Sequence, residues 1–133
     1  MKFKKLVSLS LTMIMSAGIL VGCGSNGDDA SNGEQIKVGM ITDVGGVHDE
    51  SFNQSSWEGL QSIKEEIGED KLYVNYLEST QDSDYKPNIE QFVEEEYDLI
   101  IGVGYKLADA LKEASTNYPD QQFALIDEVY DEQ

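Results

Sequence analysis

The chain has no arginine, and its 133 residues include one cysteine, one histidine, one tryptophan and two prolines. A lone cysteine cannot close a disulfide within the chain. The lone histidine, His48, would need partners for a metal or catalytic role, and none is spaced for it. It reads as exposed loop. All nine cations are lysine, and Lys2, Lys4 and Lys5 fall at the very start. With residues 1–22 set aside, 111 residues remain, carrying six lysines against 26 acidic residues, a net charge of −20. So few cations exclude nucleic acid as a partner, because phosphate binding needs clustered positive charge. They also argue against the folded body resting on an anionic lipid surface. No catalytic constellation is visible: there is no second histidine and no activated serine or cysteine, and carboxylates this abundant discriminate nothing. The expectation is a protein that is not an enzyme and holds no cofactor or metal.

What the chain does have begins before Cys23. The three early lysines precede an apolar run from Leu6 to Leu20, which closes on Leu20-Val21-Gly22-Cys23. That order is the signature of a secretory signal peptide, and its ending resembles the bacterial lipobox. The run is about 15 residues, short of the roughly 20 a spanning helix needs. Residues 1–22 are therefore expected to be a lipoprotein signal peptide. Cys23 then becomes the lipidated first residue, tethered to the cell membrane on its extracytoplasmic face. Gly24 to Glu34 holds one alanine and no larger apolar residue, so residues 23–35 read as lipidated cysteine and flexible tether.

From Ile36 onward, apolar runs alternate with helical patterns. Ile36–Thr42 is a strand candidate. Asp49 or Ser51 can cap a helix to Ile67, whose Trp57, Leu60, Ile63 and Ile67 share one face, with Gly68 ending it. Leu72–Leu77 is a second strand. Pro87 suits a first helical turn, with Ile89, Phe92 and Val93 as its buried stripe. Leu99–Val103 is a third strand, apolar enough to be covered on both faces. Leu107, Leu111, Ala114 and Tyr118 mark a third helix, stopped by Pro119, and Gln122–Ile126 is a fourth strand. This alternation predicts an α/β fold: a doubly wound parallel sheet of order 2-1-3-4 with right-handed crossovers. The chain reverses direction between strands one and three, and ligands bind at that switch point outside the carboxyl ends of the strands. Residues 36–133 read as one α/β lobe. No helix follows the fourth strand, one sheet face looks undercovered, and a truncated fragment of a longer protein is expected.

The loop after the first strand is the richest segment. Asp43 points into the predicted crevice, Gly45-Gly46 allows sharp turns, and Phe52 and Asn53 open the following helix. An aromatic plane beside an amide and a carboxylate can hold a flat heterocycle, with the ring on Phe52 and its edge read by Asn53 and Asp43. The same residues also read as a core staple, a capping residue and a turn former. Three other motifs are weaker. Gly102-Val103-Gly104 begins a dinucleotide fingerprint, but Leu107 holds its third glycine position; a tight strand-to-helix turn is the plainer reading. Asp82-Ser83-Asp84 fails as a calcium loop, with Pro87 at the required glycine, and reads as a turn into a helix capped near Asp84. Glu94-Glu95-Glu96 reads as a solvated face.

The segments Val38–Gly46, Asp49–Gln54 and Trp57-Glu58-Gly59, then Asp98–Gly104 and Phe123–Asp127, resemble the basic membrane protein family over most of residues 36–127. These are lipoprotein receptors of ABC importers, similar to purine nucleoside receptors. The resemblance implies a two-lobe, periplasmic-binding-protein-like fold closing on a nucleoside, of which this chain supplies the first lobe while the second lobe is absent. It implies that Phe52 stacks on the base, that Asn53 and Asp43 hydrogen-bond it, and that Asp127 makes a further polar contact. It also implies an ABC permease as membrane partner and a monomeric receptor. The alternative is a surface ligand-sensing lipoprotein of the same fold.

Overall fold

The computed structural model describes residues 34–130. Cys23, the signal segment 1–22 and most of the tether 23–35 lie outside the described residues. Four strands, β1 (Ile36–Ile41), β2 (Leu72–Leu77), β3 (Leu99–Val103) and β4 (Gln122–Ile126), alternate with helices α1 (Phe52–Ile67), α2 (Tyr85–Glu94) and α3 (Ala108–Asn117). One 3₁₀ turn, Asp82–Asp84, leads into α2, and another, Tyr105–Leu107, leads into α3. The sheet is parallel with order β2-β1-β3-β4, as the alternating pattern predicts.

Each helix meets the sheet through the stripe its spacing sets. On one face Tyr85, Ile89 and Phe92 of α2 join Leu107, Leu111 and Ala114 over Ile41 and Ile100. Full burial of side chains such as Phe92 and Ile89 contributes about 1.5–3 kcal/mol each. Glycine lets these helices settle close. A Cβ on Gly39 would lie 2.7 Å from the Phe92 ring, and one on Gly102 would lie 2.4 Å from Leu111.

The other face carries α1 alone. Trp57 and Leu60 pack over Val38, Leu72 and Val74 in one cluster and over Met40 and Val103 in another, with Trp57 edge-on to Tyr76 at 4.8 Å. Ile63 and Ile67, expected on the same stripe, are 49% and 41% exposed. Helical spacing says which residues share a stripe, not how far along it another element reaches. Here Leu99, Ile101 and Ile126 are only partly covered, which matches the undercovered face expected from the sequence.

The register fixes where the strands let go. Ile41 sits opposite both Leu77 and Gly102, and Gly102 opposite Leu125. Asp43, Glu78, Gly104 and Asp127 therefore leave the sheet at the same end and nearly the same level.

Candidate functional site

The site is built at the carboxyl ends of the strands, around the loop from Thr42 to Ser51. The helix it feeds is capped by Asp49, one of the two candidates. One carboxylate oxygen accepts the amides of Ser51 and Gln54 at 2.9 and 3.0 Å, and the other accepts the Asn53 amide at 3.2 Å. Ser51 occupies the cap position but makes no side-chain cap bond. Burial works to raise the Asp49 pKa, but these amides outweigh it and hold the carboxyl below its ordinary value.

Asp43, half-buried, is pinned from two sides. Its Oδ1 accepts the Gly45 amide at 2.9 Å and the Asn53 side-chain amide at 2.8 Å. Its Oδ2 lies 3.2 Å from where a Cβ on Gly104 would stand. Gly104 has φ +101, a conformation that only glycine adopts freely, so two demands select glycine at this position. Through this contact the loops after β1 and β3 meet at the point where the strand order reverses.

Asn53 is 2% exposed. Its Nδ2 donates to Asp43 and also to Asp49 Oδ2 at 3.0 Å. A carboxylate only accepts, so the amide cannot flip. Its Oδ1 is buried and has no partner among the described residues. The sequence reading has Asn53 and Phe52 facing one crevice; in the structure Asn53 is turned into the loop and Phe52 is 53% exposed. The difference follows from two carboxylates within reach of one amide. Asp127 ends β4, exposed, with φ +73. Such backbone is uncommon outside glycine, though aspartate tolerates it. No hydrogen bond joins Asp127 to Asp43, Phe52 or Asn53 among the described residues. His48 is exposed, as expected.

Two residues that sequence reasoning missed hold the loop. Glu78, just beyond β2, accepts the Val47 amide at 2.8 Å. Tyr85, 3% exposed, donates its hydroxyl to Asp82 Oδ1 at 3.1 Å, and the Val44 amide also reaches the tyrosine oxygen. Burial, reinforced by the Asp82 bond, pushes the Tyr85 pKa up to about 12. Glu78 carries no local signal, since its partner is 31 positions away. Tyr85 could have been noticed as the one polar aromatic in line with the buried stripe of α2.

Asp84 is occupied locally. Its oxygens accept from the Thr80 amide and hydroxyl and from the Gln81 side chain, so Asp82–Asp84 is a turn into a helix. The largest concavity, about 730 Å³, lies at the opposite end of the sheet beside Tyr97, Tyr118 and Gln121. There the Gln121 amide is already spent on the carbonyls of Tyr97 and Asp98. The crevice at the switch point, with an open carboxylate oxygen beside an exposed aromatic, has the chemistry a ligand needs.

Comparison with known proteins agrees with this architecture. The chain is 45% identical to a CD4+ T-cell-stimulating antigen of Listeria innocua over 97% of its length, which is 38% of that protein. It is 35% identical to the ABC transporter nucleoside-binding protein BmpA of Lactococcus lactis, covering 98% of this chain and 38% of that one. The chain thus spans under two fifths of the length of these relatives. Its fold matches an ABC-system solute-binding protein of Aeropyrum pernix with TM-score 0.65 and 31% identity, over 74% of this chain and 26% of that one. The family model described as ABC transporter substrate-binding protein PnrA-like matches residues 36–133, and the chain belongs to that family, Bmp.

Proposed function

We propose that this chain is the first lobe of an extracytoplasmic lipoprotein receptor of an ABC importer, binding a purine nucleoside between two lobes. The observation that carries this reading is the pairing at the switch point. Asp43 is held rigid with one oxygen open, and Phe52 stands exposed beside it on the first turn of α1. A fixed acceptor next to a free aromatic face suits a flat, hydrogen-bonding heterocycle. The name of the Lactococcus relative points the same way.

Charge narrows the ligand. Asp43, Glu50, Glu78, Asp127 and Glu128 all belong to the carboxyl-end loops, and no lysine is interleaved with them in the loop after β1. An added phosphate would meet like charge, so the uncharged nucleoside is favoured over its 5′-phosphate. Asp127 supplies a further polar contact from β4. The ribose and the second face of the base are met by the other lobe, and closure of the two lobes presents the loaded form to a permease. Cys23 carries the lipid that holds the receptor at the membrane. A Cys23→Ser variant is expected in the soluble fraction, and finding it still membrane-bound overturns the anchor.

The deciding measurement is calorimetric titration of the whole protein with guanosine, inosine, adenosine, uridine and a sugar. Purine nucleosides are expected to bind, and guanosine 5′-monophosphate to bind more weakly than guanosine. Silence toward every nucleoside from a folded protein overturns the reading.

A further inference from the structure

The open hydrogen-bonding atoms of the pinned pair are of one kind. Asp43 Oδ1 is filled by the Gly45 amide and by Asn53 Nδ2. Asn53 Nδ2 is itself filled by Asp43 and Asp49. What remains is Asp43 Oδ2, which lies against Gly104, and Asn53 Oδ1, a buried acceptor with no donor. The nearby backbone donors are spent too. The amides of Gly45 and Gly46 go to Asp43, that of Val47 to Glu78, those of Ser51, Asn53 and Gln54 to Asp49, and that of Gly104 to Ile126. A buried acceptor without a donor is a rare feature in a folded protein.

Resting on the nucleoside reading above, we infer that this lobe recognises the base through hydrogens the ligand donates, and that Asp43 Oδ2 is the atom that sets this polarity. Bases then rank by the donors on their edge. Guanine offers N1–H and an exocyclic amino group. Hypoxanthine offers N1–H alone, adenine an amino group flanked by an acceptor, and unsubstituted purine no N–H at all. A site built around acceptors rejects an analogue that cannot fill them, because the carboxylate loses its water and gains nothing in return.

The variant that reads this polarity is Asp43→Asn. The Gly45 amide and Asn53 Nδ2 both donate, so they hold the new side-chain oxygen at the Oδ1 position. The new amino group is forced to the Oδ2 position, and an acceptor becomes a donor with the inner contacts kept.

The test is titration of the whole protein with guanosine, inosine, adenosine and purine riboside, on the native sequence and on Asp43→Asn. Guanosine is expected to bind at least about tenfold more tightly than purine riboside to the native protein. Asp43→Asn is expected to weaken guanosine by about tenfold while purine riboside holds or tightens. Equal affinity of the native protein for guanosine and purine riboside overturns this inference and leaves the nucleoside reading standing. So does a parallel loss of both ligands in a folded Asp43→Asn. If Asp43→Asn does not fold, the native series alone decides between the ranked and the flat result. No binding of any of the four overturns the nucleoside reading and this inference with it.

Discussion

Asp49 uses both carboxylate oxygens on the first turn of α1, so one substitution separates the helix from its loop. Asp49→Ala is expected to cost about 1 kcal/mol, the usual worth of a cap, read as a lower midpoint in chemical denaturation. Asp49 holds its proton less firmly folded than unfolded. Its stabilisation is therefore complete above the unfolded value near 3.8 and is lost as the pH falls through the folded value beneath it. The gap between native protein and Asp49→Ala should close on that acid limb, and a gap that widens there would refute the account. Phe52 makes the opposite case. It is 53% exposed, so Phe52→Ala should leave the melting temperature within about a degree while weakening a stacked base by roughly 1–3 kcal/mol. A melt that drops as far as the affinity would make Phe52 a packing residue instead. Glu78→Ala should loosen the Val47 amide, seen as faster hydrogen exchange, and Glu78→Gln, which keeps an acceptor, should restore it. Asp43, Phe52 and Asn53 were legible in the sequence because they crowd one loop after a clear strand. Their division of labour was not. Whether Asn53 faces a ligand or a carboxylate depends on Asp49 and Asp43 converging in space, and Glu78 and Tyr85 reach the loop from other strands and helices.

At the level of elements, the strands carry their own boundaries. Leu72–Leu77, Leu99–Val103 and Gln122–Ile126 coincide with the apolar runs that announce them. Glycine, proline and polar turn residues mark where those runs stop. The helix starts were less visible. Asp82–Asp84 and Tyr105–Leu107 are 3₁₀ turns ahead of α2 and α3, and three-residue turns leave no period to detect. Glycine inside strands had a reason that no local rule supplies, which is the approach of a helix from elsewhere in the chain. Gly39→Ala would place a methyl 2.7 Å from the Phe92 ring. It is expected to cost about 1–3 kcal/mol through overpacking, with nucleoside affinity unchanged in the fraction that stays folded. A neutral Gly39→Ala would mean that α2 rides higher on the sheet than described.

Across the whole molecule, charge sets the behaviour. With six lysines against 26 acidic residues beyond position 22, self-repulsion opposes compaction and salt relieves it. Thermal melts should rise between low and physiological ionic strength, and a fall would point to the few ion pairs, such as Lys86–Glu113, as the governing interaction. Strand order adds something different. β1 lies between β2 and β3, so the strand that delivers Asp43 has neighbours on both sides, while β2 and β4 each have one. Backbone amides in a strand flanked this way open last, through unfolding of the entire lobe. The loop from Thr42 to Ser51 can therefore fluctuate without losing its footing. Loss of the site becomes an all-or-none event, and a weakened variant would yield fewer competent molecules, each still binding at native strength.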